Sequence, residues 1–201
     1  MELDHLAVAG ETLDAAVAHI EEALGVEMLP GGKHDHFGTY NRLLGLGGGL
    51  YLEAIAIDPE AEKPGQARWF DLDRFSGGPR LQNWICRVTD MDAALAGLDV
   101  DAGVPVALRR GDLRWRMAVP GSGVLPFDNC FPALIQWDVA VTPAELLAPS
   151  GCSLRRLEVA HPQAASLRAA VALDDARVVF VEGESALRAA FDTPHGVRVL
   201  A

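Results

Sequence analysis

Leu3-Asp-His-Leu-Ala-Val-Ala9, followed by Gly10-Glu-Thr12 and then Leu13-Asp-Ala-Ala-Val-Ala-His-Ile-Glu-Glu-Ala-Leu24 before Gly25, decides the fold. The first run is extended and apolar, the second is a break, and the third is a helix with one apolar face. Leu13, Ala16, Val17, Ile20 and Leu24 recur at helical spacing, and Gly25 stands where a left-handed stop is expected. The same order begins twice more, and a recurring unit is itself a fold signal. Leu81-Gln-Asn-Trp-Ile-Cys-Arg-Val88 reads as a strand, and Thr89-Asp-Met-Asp92 has the hydroxyl-to-acid spacing of a capping box. Met91, Leu95 and Leu98 then form a buried stripe, with Gly103 as the stop. A third copy opens at Leu154-Arg-Arg-Leu-Glu-Val-Ala160, turns at His161-Pro162, and continues as a helix with Leu167, Ala170 and Val171 on one face.

Short strands follow each helix. In the first copy they are residues 38–44 and 50–57, separated by the hairpin turn Gly45-Leu-Gly-Gly-Gly49. In the second they are residues 104–109, 113–119 and 133–137; in the third, 177–181 and 197–200, with a short helical stretch at 186–190 between them. One helix covers only one face of such a small sheet, so the other face must meet a second sheet or a ligand. The expected fold class is α+β: tandem βαβββ modules, residues 1–80 and 81–150, forming cupped mixed sheets around a cleft. A truncated third βαββ unit, residues 151–201, packs on the same domain.

The chain has 201 residues, half of them hydrophobic, which is enough to bury a sizeable core. Its formal charge is -11, with 14 acidic against 6 basic residues in the first 80 positions. Such a field repels phosphate backbones and anionic bilayers, so neither nucleic acid nor a membrane is an expected partner. Cys86, Cys130 and Cys152 are odd in number and lack C-x-x-C spacing, which reads as reduced thiols. The acidic start enters a strand at once, without the basic and apolar regions of a signal peptide, so a cytoplasmic location is expected. No G-x-G-x-x-G, P-loop, G-x-S-x-G or H-E-x-x-H pattern occurs, against dinucleotide enzymes, NTPases, serine hydrolases and zincins.

Strand alternation assigns the cleft face. Leu6 and Val8 suit the helix, which sends His5 to the cleft; on the 50–57 strand Tyr51, Glu53 and Ile55 share one side. His5 and Glu53 can therefore converge, as divalent-metal ligands, as proton-transfer groups or as a buried hydrogen-bonded pair. Overlaying the repeats puts Asn83 on His5 and Gln136 on Glu53, amides without the charge that holds a cation tightly. His34 and His36, two apart in a Gly-bounded loop, share a side on extended backbone and can contact metal or substrate. Asn41 is polar in an apolar strand and faces the same cleft. Arg109, Arg110, Arg114 and Arg116 surround Trp115; an arginine turned inward would clamp a carboxylate or phosphate beside an apolar wall, and otherwise the hairpin is solvated. His19, His161 and His195 read as structural or exposed.

Leu3-Asp-His5, Gly-Gly-x-His34-x-x-x-Gly38-Thr39-x-Asn41, Tyr51-Leu52-Glu53, Arg68-Trp-Phe-x-Leu-Asp73, the Arg110-x-x-x-x-Trp115 hairpin and Ile135-Gln136-Trp137 together resemble the glyoxalase-like domain family of the vicinal oxygen chelate superfamily. The resemblance implies paired βαβββ units around a small-molecule site. Metal ligands would come from the first and last strands of each unit, which carries over to His5, Glu53, Asn83 and Gln136; the last two depart from the usual ligand types. The implied function is a glyoxalase-like enzyme of unassigned reaction, a metal-assisted lyase, isomerase or dioxygenase using Zn, Mn, Fe or Ni. In that reading Glu53, His34 and Arg110 are catalytic, while His36, Asn41, Tyr51, Trp84, Trp115 and Gln136 contact substrate. The alternative is a metal-free small-molecule binding or resistance-type protein with a vestigial metal site. The exposed edge of the third unit would favour a homodimer in either case.

Overall fold

Two caps delimit the first helix. The Thr12 hydroxyl accepts from the Ala15 N–H at 3.2 Å, and Gly25, left-handed at φ 73°, donates its N–H to the Glu21 carbonyl. Between them Leu13, Ala16, Ile20 and Leu24 are buried. Each such leucine or isoleucine contributes about 1.5–3 kcal/mol on leaving water, so the buried face more than the local propensity holds the helix.

The computed structural model describes residues 1–201. Its first unit runs β1 (Glu2–Ala9), α1 (Leu13–Leu24), β2 (Leu29–His34), β3 (Thr39–Gly47) and β4 (Leu50–Ile57). An irregular 3-10 segment, Trp69–Arg74, leads to β5 (Arg80–Arg87), α2 (Met91–Ala96), β6 (Val104–Arg110), β7 (Leu113–Val119) and β8 (Ala133–Trp137). A short helix α3 (Pro143–Leu146) precedes β9 (Ser153–Ala160), α4 (Ala164–Val171), β10 (Val178–Val181), β11 (Ala186–Thr193) and β12 (Gly196–Leu200).

The first two units join into one eight-stranded sheet ordered β2-β3-β4-β1-β5-β8-β7-β6. β1 is parallel to β4 and β5 to β8, while β1 and β5 pair antiparallel at the centre, Leu6 opposite Trp84 and Ala7 opposite Asn83. The sheet curls until its edge strands β2 and β6 meet, giving a half-barrel with a concave face. Register puts His5, Tyr51, Glu53, Ile85 and Ile135 on that face and Leu6, Leu52 and Trp84 on the convex one. α1 covers the convex side of the first half. The separate four-stranded sheet covers β5, with the Phe180 ring 6.1 Å from Trp84.

Three local readings are corrected. The Asp90 carboxylate, not Thr89, caps α2 by accepting from the Ala93 N–H at 3.0 Å, and the helix stops at Gly97. Gly103, at φ 98°, instead lets β6 start beside β7, where a Cβ would fall 2.1 Å from the Val119 carbonyl carbon. Residues 186–190 are strand, because Leu187, Ala189 and Phe191 alternate inward and the sheet overrides alanine's helix propensity.

The third segment has one strand more than the expected βαββ. It carries three strands after its helix, and its order β10-β9-β11-β12 sets β9 directly beside the parallel β10. All three cysteines are free and buried. Burial pushes the Cys130 thiol up to about 11 and Cys86 higher still, which favours the protonated thiol at both. No helix is long and apolar enough to cross a membrane.

Candidate functional site

His5 of β1 and Tyr51 of β4 are register partners, and their rings stack at 4.3 Å and 14°. One step along, Ala7 faces Glu53, so a small side chain leaves the carboxylate room to reach back toward the imidazole. His5 Nε2 stands 3.7 Å from Glu53 Oε2. On its other side His5 Nδ1 lies 2.6 Å from Asp4 Oδ1. A carboxylate only accepts, so Nδ1 carries the proton and Nε2 points at Glu53. The Trp137 indole donates to Asp4 Oδ2 at 3.0 Å, fixing the carboxylate from behind. Asp4 can turn this way because the β1–β5 register slips between Leu3 and His5.

Glu53 Oε1 accepts from Asn41 Nδ2 at 2.6 Å. Asn41 Oδ1 in turn accepts from the Gly32 N–H at 2.8 Å and from Arg110 Nη1 at 3.2 Å. Arg110, at the end of β6, crosses the seam of the half-barrel to β2, where Nη1 also lies 3.0 Å from His34 Nε2. The crossing needs glycines: a Cβ on Gly32 would sit 2.7 Å from Arg110 Cδ, and one on Gly31 would sit 2.2 Å from Asn41 Oδ1. His34 Nδ1 contacts Thr39 Oγ1 at 3.1 Å. Burial first, then the Arg110 charge and His5, lowers the His34 imidazole to about 3, so it is neutral and accepts from the guanidinium. Burial, together with the Asp4 and Glu53 charges, raises the Tyr51 hydroxyl well above the usual phenol range; it stays protonated.

Aromatic and apolar residues complete the wall, among them Trp69, Phe70, Trp115, Met117 and Trp137. Trp69 and Trp115 hold buried indole N–H groups with no acceptor in the protein. Both of Arg110's side-chain partners are neutral. The concave cavity thus offers a guanidinium with neutral partners and one carboxylate oxygen, beside two indoles whose N–H groups lack an acceptor, to a molecule carrying oxygen atoms.

Of the residues singled out from the sequence, His5, His34, Asn41, Tyr51, Glu53, Arg110 and Trp115 line this one cavity. Four do not. His36 lies past the end of β2, in a turn that breaks the extended spacing from His34, and contacts Gln66 from the surface. Trp84 is on the convex face, its indole donating to the Cys130 carbonyl at 2.9 Å. Gln136 pairs with Arg116 in register and faces away with it, accepting from the Met91 N–H at 2.8 Å and from Arg116 at 2.7 Å. Asn83 has the parity of the concave face but is fully buried outside the cavity lining. Asp4, Trp69 and Phe70 were missed as site residues.

A divalent cation meets a poor donor set. No group of three His, Cys, Asp or Glu residues comes together, whereas a catalytic zinc takes three protein ligands. Ile85, two residues beyond Asn83, pairs with Ala133, just as Ala7, two beyond His5, pairs with Glu53. The second-half counterparts of the acid–imidazole pair are therefore an amide and a methyl group. The remaining imidazole, His34, is already an acceptor for a fixed positive charge. These residues do not fit a tightly held metal, and no chemistry is routed through one.

The glyoxalase-like domain family model matches residues 3–173, from β1 through α4. A search of curated protein sequences returns no significant match. Among solved structures, a hypothetical protein from Staphylococcus aureus is similar at a TM-score of 0.57 and 15% identity, covering 84% of this chain and 72% of that one. Methylmalonyl-CoA epimerase from Mycobacterium tuberculosis is similar at a TM-score of 0.45 and 25% identity, over 70% and 89% of the two chains. A variant of the Streptomyces coelicolor methylmalonyl-CoA epimerase gives 0.46 and 18%, over 69% and 99%. The family match spans the whole curled sheet and the site on its concave face, and with it the chain belongs to the glyoxalase-like domain family of the vicinal oxygen chelate superfamily.

Proposed function

We propose that the concave cavity binds a small molecule by an acidic head group and exchanges a proton at the carbon beside it. One juxtaposition carries this reading: an arginine with neutral partners and a carboxylate with one uncommitted oxygen line the same cavity. Arg110 holds the head group bidentately, aided by the Trp69 and Trp115 N–H groups. Glu53 Oε2 takes the proton of the neighbouring C–H; that bond breaks, and its electron pair moves onto the adjacent oxygen as an enolate. The fixed donors stabilise the developing oxyanion. The proton returns to carbon from Glu53 or, after passing across the 3.7 Å gap, from His5 Nε2. The reaction class is isomerase or lyase.

Deuterium exchange tests it. Small carboxylic acids that carry a hydrogen and one substituent at C2 are incubated with the protein in D2O and followed by proton NMR. At least one acid should lose its α-hydrogen signal with the wild type, and Glu53→Gln should slow this by about 10²–10⁴-fold while binding persists. Acids that bind without exchanging overturn the assignment. They would favour a second reading, a sequestering protein, which the aromatic wall of Trp69, Phe70, Trp115 and Trp137 supports.

A further inference from the structure

The inner cavity has room for about 30 Å³, where a single water needs roughly 10–15 Å³ on the same measure. It admits a head group and little else, so the rest of any larger molecule lies outside. Leu43, Arg110 and Pro143 line both this cavity and an adjoining open groove of about 370 Å³. The groove runs outward between Leu29 and Pro30 of β2, Leu113 of β7, and Leu146 and Leu147 at the end of α3. Its walls are aliphatic, and Arg110 at the inner end is the one charged residue among them. Leu146 is 66% exposed and Leu29 36%, an apolar strip left in water on fixed elements. The α3 wall is anchored: Glu145 accepts from the Thr142 N–H at 2.7 Å, and the Ser150 hydroxyl donates to the Gly45 carbonyl at 2.5 Å. Gly45 is needed there, since a Cβ would come within 2.8 Å of the Ala148 carbonyl oxygen.

We infer that this groove seats an aliphatic tail, so that the substrate is an acyl-chain carboxylate with its acidic head on Arg110 and its hydrocarbon across the leucines. The inference rests on the head-group role of Arg110 proposed above. Calorimetric titration with straight-chain carboxylates from acetate to decanoate separates the two claims. The dissociation constant should fall about three- to fourfold per methylene from butanoate to octanoate. Leu146→Asp, at an exposed position that tolerates a charge, should flatten that dependence and leave acetate binding unchanged. Arg110→Gln should weaken every chain length by the same factor. Equal affinity at all lengths, still weakened by Arg110→Gln, sinks the tail and leaves the head-group reading standing. Chain-length dependence that Arg110→Gln does not touch, or no binding at all, sinks the head-group reading. If Leu146→Asp instead turns a dimer into a monomer in light scattering and leaves the chain-length slope intact, the groove is a contact between copies and the inference is overturned.

Discussion

His5 Nε2 and Glu53 Oε2 face each other at 3.7 Å, wider than a hydrogen bond and close enough for a ligand atom to pass a proton between them. The direction of the imidazole is set from behind, by the Asp4 carboxylate on Nδ1. Asp4→Asn removes the charge that fixes this tautomer, and its amide can donate to Nδ1 instead. Exchange activity should fall about a hundredfold in kcat with KM little changed. Wild-type turnover in this variant would show that the pair is held only for packing.

His34 gives the protein a pH dependence of definite sign. Its folded-state value, about 3, lies below the ordinary 6.5, so between those limits the unfolded chain binds more protons than the folded one. Stability therefore rises with pH through that window and is lost on acidification from about 6.5 downward, by up to a few kcal/mol. Urea unfolding at pH 7 and pH 4 should show a steeper loss for the wild type than for His34→Gln. Equal losses would mean that His34 takes up its proton in the fold.

Gly31 and Gly32 are expected to fail differently. A Cβ on Gly31 meets the Asn41 side chain and the Asn41 backbone carbonyl at 2.2 and 2.4 Å, and backbone cannot yield cheaply. Gly31→Ala should cost about 1–3 kcal/mol of stability, read by denaturant unfolding. A Cβ on Gly32 meets the flexible Arg110 chain, so Gly32→Ala should leave stability nearly intact and weaken carboxylate binding. The reverse order would contradict the placement of Arg110 across β2.

Manganese, iron, nickel and zinc should leave the melting temperature unchanged, because two donors beside a guanidinium do not hold a cation selectively for the folded state. A rise that His5→Ala abolishes would return metal chemistry to the site.

Much of the first unit was legible because strand parity is strict. The pairing of β1 with β4 runs unbroken from His5 to Ala9, so the two-residue period alone brought His5 and Glu53 together. Asp4 was not legible, since by parity it points away from the cleft and only the register slip at Leu3 turns it inward. Gln136 was misread because overlaying the repeats by likeness hid the register, which makes Ala133 the counterpart of Glu53 and turns Gln136 to the outer face. Trp69 and Phe70 come from an irregular link in which Phe70 and Asp71 are left-handed, at φ 58° and 57°, and no periodicity announces such a segment. In the third segment, alanine's helix propensity concealed a strand whose identity is set by the sheet it joins.

A crystal structure with an exchange-active bromo-substituted carboxylic acid tests the site most directly, since the bromine's anomalous signal fixes the ligand's orientation. The carboxylate should lie on the Arg110 guanidinium, with the carbon beside it about 3–3.5 Å from Glu53 Oε2. A ligand whose carboxylate points away from Arg110, or whose reacting carbon lies out of reach of Glu53, would contradict the proposed chemistry.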